Sequence, residues 1–189
     1  MPLNITSTAD FDPYVKYNAK SGRWYNNEDS EINSPVFIAD FANIKTGWFL
    51  FLEGQAPDKV LDSVLGQQGA KPSDTHKRGF VLRLFSSKSF GGVVELSGSS
   101  MHLNNAITDL YNQYDSAAES KEGKLPVVAF TGSTPSKDKF GTNYKPNFTI
   151  EKWVDRPAEF DASGAPTPEA TVQQPDAPSQ AATTGASEF

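Results

Sequence analysis

The sequence contains no cysteine, and this absence limits the chemistry open to the chain. Disulfides and thiolate metal sites are excluded, and the absence suits a protein of the reducing cytoplasm. Histidine is scarce as well, because His76 and His102 are the only two and lie in separate segments. Neither has a partner at the spacing that metal ligands use. We therefore predict no metal and no cofactor.

Catalytic motifs are also missing. The sequence has no G-x-x-x-x-G-K-[ST] phosphate loop and no G-x-S-x-G nucleophile elbow. Carboxylates come close together at Asp10 and Asp12, and again at Glu28, Asp29 and Glu31. Solvated carboxylates in turns account for both groups. We therefore predict a protein that is not an enzyme.

Long hydrophobic runs are missing too. No stretch approaches the ~20 apolar residues of a membrane-spanning helix. Residues 1–13 have neither the basic region nor the apolar core of a signal peptide. We therefore expect no membrane partner and a location in the cytoplasm.

Basic residues are absent from the C-terminal end. Residues 157–189 contain five prolines, eight alanines and five acidic residues, but no lysine or arginine. Residues 1–156 combine 17 basic with 18 acidic residues, so almost all of the net charge of −6 belongs to the end. Such a segment cannot bury enough apolar surface to offset its ordering entropy. We predict a domain over residues 1–156 and a disordered acidic tail over residues 157–189.

Short β-like runs dominate the domain, and one amphipathic helix interrupts them. The runs are Tyr14–Ala19, Arg23–Tyr25, Val36–Phe41, Trp48–Leu52, Phe80–Phe85, Val93–Leu96, Pro126–Phe130 and Phe148–Val154. The first two runs form a hairpin in this interpretation, and so do the third and fourth. A short helical candidate lies around Val60–Leu65, and a long polar loop, Pro135–Pro146, separates the last two strands.

The one clear helix has an apolar stripe of i, i+4 and i+7 spacing, with Ser99 or Ser100 as its N-cap. The stripe consists of Leu103, Ile107, Leu110, Tyr111 and Tyr114. Strands, then a helix, then two strands is the element order of an OB-fold, a small Greek-key barrel. We predict a mainly β, OB-like barrel with one helix. An antiparallel β-sandwich with one helix is the alternative.

Basic and aromatic residues interleave in the first hairpin and in the polar loop. Lysines and arginines follow the phosphates of single-stranded nucleic acid, and aromatic faces stack on its bases for about 1–3 kcal/mol each. The predicted DNA-binding residues are Lys16, Lys20, Arg23, Trp24, Tyr25, Arg78, Lys137, Lys139, Phe140, Tyr144 and Lys145. Aromatic residues in hairpins also serve as core or cross-strand pairs, which is the alternative for each of them.

The chain ends in an aromatic residue after an acidic one. Phe189 can fill an apolar pocket on a partner while Glu188 and the α-carboxylate pair with arginines, as short recognition peptides do. We predict partner binding at Glu188 and Phe189. The alternatives are an inert solubilising tail and a cloning remnant.

Residues 139–157, KFGTNYKPNFTIEKWVDRP, resemble the C-terminal strand region of phage-type single-stranded DNA-binding proteins. The end at Glu188 and Phe189 resembles the acidic tip of bacterial and phage members. The resemblance implies an OB-fold that coats single-stranded DNA in replication, recombination or repair, in a bacterium or phage-infected cell. It also implies a tail that docks replication or recombination proteins and competes with DNA. Unlike the family tip, this one has a single acid before the phenylalanine.

The alternative function is a non-catalytic β-sandwich that serves in interaction or structure, such as a virion protein or a carbohydrate-binding module. Its exposed aromatic residues would then stack on sugars or contact a protein partner.

Overall fold

The structure is a computed structural model that describes residues 13–139 and 141–162. The predictions for Phe140, for Glu188 and Phe189, and for disorder beyond residue 162 lie outside these residues. The described strands are β1 (Tyr14–Asn18), β2 (Arg23–Asn26), β3 (Glu31–Ile32), β4 (Val36–Ala39), β5 (Lys45–Leu50), β6 (Asp58–Leu61), β7 (Lys77–Ser86), β8 (Gly92–Gly98), β9 (Leu125–Asp138) and β10 (Gly141–Val154). The helices are α1 (Met101–Ser116), α2 (Ala118–Lys121) and α3 (Glu159–Ala162), with a 3-10 turn at Phe41–Asn43.

The strands form one mixed sheet in the order β10-β9-β4-β7-β8-β1-β2-β3, and β5 joins β6 to β7. β1 runs parallel to β8, and the other pairs are antiparallel. The mainly β class is confirmed. Within the described residues the sheet is not closed, so the OB barrel stays a prediction.

β4 and β5 do not form the predicted hairpin, because both pair with β7. Ile38 lies opposite Phe85 in the C-terminal half of β7, whereas Lys45 lies opposite Val81 in its N-terminal half. The 3-10 turn carries the chain from one half to the other. The short helix predicted around Val60–Leu65 is also wrong, since β6 pairs there with β5. The four apolar residues Val60, Leu61, Val64 and Leu65 are too few to distinguish a short helix from a strand.

The main core lies between the inner face of the sheet and α1. Leu82, Leu84 and Leu96 are almost fully buried, and they belong to one cluster with the α1 side chains Leu103 and Leu110. The predicted helix is confirmed over most of its length. So is its N-cap, because the hydroxyl of Ser100 accepts a hydrogen bond from the backbone N–H of Leu103 (3.3 Å).

A buried ion network holds α3 against β4 and β7. Arg156 donates to Asp40 (2.7 and 3.1 Å), Arg83 donates to the same carboxylate (3.1 Å), and both guanidinium groups lie over the ring of Phe160. Burial acts to raise the pKa of Asp40, but hydrogen bonds from Arg156, Asn43 and Arg83 outweigh it and lower the pKa. Phe160 is fully buried. Residues 157–162 therefore pack on the domain, and their assignment to the tail was wrong.

The polar segment Pro135–Pro146 is not a loop. β9 and β10 continue as a ladder until Gly141 lies opposite Asp138, with bulges next to Pro146 and Ile150. We call residues 131–138 of β9 and 141–145 of β10 the outer ribbon; its β9 part is mostly exposed and its β10 part is mostly half-buried. A ribbon that projects from the core has no apolar face to bury. Its polar composition therefore resembles that of a loop.

Candidate nucleic-acid interface

The two basic–aromatic segments meet in the structure. The backbone N–H of Tyr144 donates to the carbonyl oxygen of Ala19 (2.7 Å), and the hydroxyl of Tyr17 donates to the carbonyl oxygen of Tyr144 (3.0 Å). We call this contact between the β1–β2 turn and the outer ribbon the junction. The junction holds the β1–β2 turn against β10, although β1 and β10 are not paired as strands.

Glycine is required at the junction. Gly22 has a φ of +70°, and a Cβ there would lie 2.5 Å from the hydroxyl of Ser133 and 3.1 Å from the ring of Tyr144. Both the positive φ and the close approach exclude a larger residue. The turn is therefore built to pack directly on β10.

Several predicted DNA-binding side chains surround the junction. Tyr144 lies opposite Pro135 and Lys137 lies opposite Thr142, so Tyr144 and Lys137 share one face of the ribbon. Lys20 is exposed on the adjoining turn, and Lys139 is exposed near the ribbon tip. Within the described residues, neither Lys20 nor Lys137 has an ion-pair partner. Lys20 and Lys137 could therefore bind phosphates without first breaking an ion pair.

Three other predicted phosphate contacts are engaged in ion pairs. Arg23 pairs with Glu31 (2.7 Å), Lys145 pairs with Asp109 of α1 (2.8 Å), and Lys16 pairs with Asp29. Sequence reasoning missed these pairings, because each acid lies on a different element from its basic partner. The pairs are exposed, so they contribute little to stability and can exchange for phosphates.

Trp24 is not a stacking residue in this structure. Its side chain is fully buried, and its ring centroid lies between 5.6 and 6.1 Å from those of four other aromatic rings. These rings belong to Tyr17, Phe37, Phe130 and Phe148. The prediction for Trp24 was wrong because β2 places its ring in the aromatic part of the main core. Tyr25, its neighbour, is half-buried on the opposite face, beside Lys16.

Arg78 lies apart from the junction, on β7. It donates two hydrogen bonds to Asp62 (2.9 and 2.6 Å), and its guanidinium lies 5.3 Å from the ring of Trp48. The hydrogen bonds from Arg78 hold the pKa of Asp62 far below its ordinary value. Arg78 also lines a cavity beneath α1, which sequence reasoning missed. No sequence signal marks it, because its lining comes from four separate segments.

His76 is buried. One ring nitrogen lies 2.7 Å from the hydroxyl of Ser73, and the other lies 3.1 Å from the carboxylate of Asp58. These bonds tie the turn before β7 to β6. In the part of the chain that the structure describes, no group of three or more potential ligands could hold a metal ion.

Comparison of the chain with protein-family models, with curated proteins and with solved structures found no match. None of the helices in the described residues is long and apolar enough to cross a membrane. A functional assignment of this chain therefore depends on the junction and its surroundings.

Proposed function

We propose that the protein is a non-catalytic single-stranded DNA-binding protein that acts without sequence preference in replication, recombination or repair. The observation that carries the proposal is the junction. Two segments far apart in the sequence meet there, and both expose basic and aromatic side chains.

The chemistry of the junction fits a single strand. Lys20, Lys137 and Lys139 supply positive charge for phosphates, while Tyr144 and Tyr25 supply rings for bases. Stacking on a ring tolerates any base, because every base has a π-face. Phosphates can replace the carboxylates that are paired with lysine and arginine side chains. DNA binding would then depend on salt concentration.

The architecture supports an OB-like barrel as part of this proposal. The chain order places α1 between a set of strands and the final pair, and the junction links the β1–β2 turn to β10. OB-folds hold single strands on an exposed strand surface flanked by loops. The outer ribbon would form one wall of such a surface.

The proposal is tested by titrating a labelled oligo(dT) with the full chain at several salt concentrations, read by fluorescence anisotropy. We expect binding at low salt, and a double Lys20→Ala, Lys137→Ala variant whose log–log salt slope is smaller by about 1.4, or roughly 0.7 per lost phosphate contact. Lys152→Ala is the matched control. Lys152 is exposed on β10 too, about 33 Å along the strand from Thr142 at about 3.3 Å per residue.

Absence of oligo(dT) binding at low salt would contradict the proposal. An equal loss in the Lys152→Ala variant would move the interface away from the junction. Intrinsic tryptophan fluorescence is a poorer probe, because Trp24 and Trp48 are both buried.

The tail is proposed to compete with DNA and to dock replication or recombination proteins through Glu188 and Phe189. Because residues 157–162 pack on the domain, the truncation that tests competition ends at Ala162. We expect tighter oligo(dT) binding at low salt and no difference at high salt. Equal affinity across the salt series would rule out competition.

A protein-interaction role is the second candidate, and one surface favours it. Residues 51–65 expose six large apolar side chains, each between 41% and 53% accessible. They are Phe51, Leu52, Val60, Leu61, Val64 and Leu65. Apolar residues grouped in this way mark contact surfaces. This candidate replaces the first if oligo(dT) fails to bind at low salt.

A further inference from the structure

A cavity of about 230 Å³ lies between α1 and the β5–β7 pair. Ile44, Phe80 and Ile107 form its apolar wall, and all three side chains are buried. Thr108 and Leu65 are exposed and lie at its edge. Sites for drug-sized ligands measure about 300–1,000 Å³. This cavity is smaller and suits a single planar ring system.

One polar group in the wall lacks a partner. The amide nitrogen of Asn104 donates to the carbonyl oxygen of Arg78 (2.9 Å), which fixes the side chain. Its Oδ1 is shielded from solvent and accepts no hydrogen bond within the described residues. Buried acceptors are nearly always paired in folded proteins. Water does not reach this oxygen, so an N–H donor of a ligand meets it only when the groups that cover it move aside.

Fixed positive charge lies beside the cavity. The guanidinium of Arg78 is held by Asp62, whose carboxylate also accepts from the hydroxyl of Thr46 (2.6 Å). Thr46 and Arg78 both line the cavity. The remaining N–H groups of a guanidinium whose position is already fixed can meet a phosphate at little entropic cost.

The cavity is also connected to the outer ribbon. Thr108, at the cavity edge, precedes Asp109, which pairs with Lys145 of β10. The same turn of α1 therefore faces both the cavity and the ribbon.

We propose that this cavity is a subsite for one nucleobase that carries an exocyclic amino group. The proposal rests on single-stranded DNA binding at the junction and adds a position at which bases are distinguished. In the occupied subsite an amino group donates to Oδ1 of Asn104, the acceptor that has no donor among the described residues. Thymine presents a carbonyl oxygen in place of that amino group, and this oxygen would face the same acceptor.

The test compares oligo(dC) with oligo(dT) of equal length, bound to the full chain at low salt. We expect oligo(dC) to bind about three- to tenfold more tightly, the range for one hydrogen bond to a buried acceptor. The Asn104→Leu variant, which keeps the volume and removes the acceptor, brings the ratio to about one. Asn105→Leu is the matched control, because Asn105 is the next residue on α1 and is exposed.

A second variant guards against misfolding. Thr108→Trp blocks the cavity edge from an exposed position, and circular dichroism verifies the fold of each variant. We expect the loss of preference in this variant too. The subsite is wrong if the wild type binds both oligonucleotides equally. It is also wrong if the Asn104→Leu variant prefers oligo(dC) as strongly as the Asn105→Leu variant does. Neither result would contradict lysine-dependent DNA binding at the junction.

Titration with the free nucleosides separates the two proposals. We expect 2′-deoxycytidine to shift the NMR signals of Ile107 and Tyr111, thymidine to shift them less, and Asn104→Leu to abolish the difference. That result supports the subsite even if no oligonucleotide binds. A failure of oligonucleotide binding would overturn only the DNA-binding proposal. No shift with either nucleoside overturns the subsite.

Discussion

The β1–β2 hairpin and the outer ribbon both combine lysine with aromatic residues. In the hairpin, Tyr17 and Trp24 point inward and are almost fully buried. In the ribbon, Tyr144 and Lys137 share a face that stays accessible. The difference follows from position, because the hairpin covers an aromatic core whereas the ribbon projects beyond it. Composition alone therefore does not separate a core aromatic residue from a binding one.

The largest expected effect separates Trp24 from Tyr144. Trp24→Ala removes the centre of the aromatic cluster, so we expect a loss of about 3–5 kcal/mol in the free energy of unfolding. Tyr144→Ala should cost far less stability but about 1–3 kcal/mol of DNA-binding free energy, the range for a stacking ring. Urea unfolding and anisotropy titration measure the two quantities. A folded Trp24→Ala variant with normal stability and impaired DNA binding would return Trp24 to the interface.

A smaller effect tests whether the two regions depend on each other. Gly22→Ala introduces a Cβ that would lie 2.5 Å from the hydroxyl of Ser133, at a φ of +70°. We expect a loss of about 1–3 kcal/mol in stability, because the turn must shift or the backbone must strain. Thermal unfolding measures this loss.

Gly123→Ala is the control for that variant. Gly123 also has a positive φ, but a Cβ there meets nothing within 4 Å. Both substitutions therefore place alanine at a positive φ, and only Gly22→Ala adds a close contact. Equal losses in the two variants would show that the junction contact contributes no stability.

The smallest expected effect concerns charge at the ribbon. Asp109→Asn releases Lys145 from its ion pair, so we expect DNA affinity to rise a few-fold at low salt and to return to the wild-type value at high salt. Asp115→Asn is the matched control on the same helix. It removes the same charge, but its partner is Lys121. An equal rise in both variants would indicate a general charge effect and would remove Lys145 from the interface.

The parts of the fold with strong local periodicity could be predicted. The stripe from Leu103 to Tyr114 identified α1, and Ser100 identified its start, because both signals lie within a few turns of one helix. The β1–β2 hairpin was predicted correctly from a short turn with glycine. Lys20 and Lys137 are both exposed, and the contact between their two segments at the junction depends on the tertiary structure.

Other parts depended on neighbours distant in the chain. β4 and β5 follow each other in the sequence, but they do not pair with each other. Each pairs with a different half of β7, which is long enough to pair with both. Phe160 lies in a segment of tail-like composition that begins at Pro157, but Arg83 and Arg156 cover its ring. The acids that pair with Lys16 and Lys145 lie 13 and 36 residues away.

The sequence by itself determined the mainly β class, the principal helix and the concentration of acidic residues at the C-terminal end, because each depends on composition or on local periodicity. Only the tertiary structure decided which aromatic residues are buried, which of the described lysines have no acidic partner, and which residues line the cavity beneath α1. These features depend on contacts between residues far apart in the chain. Such contacts arise only when the sheet brings those residues together.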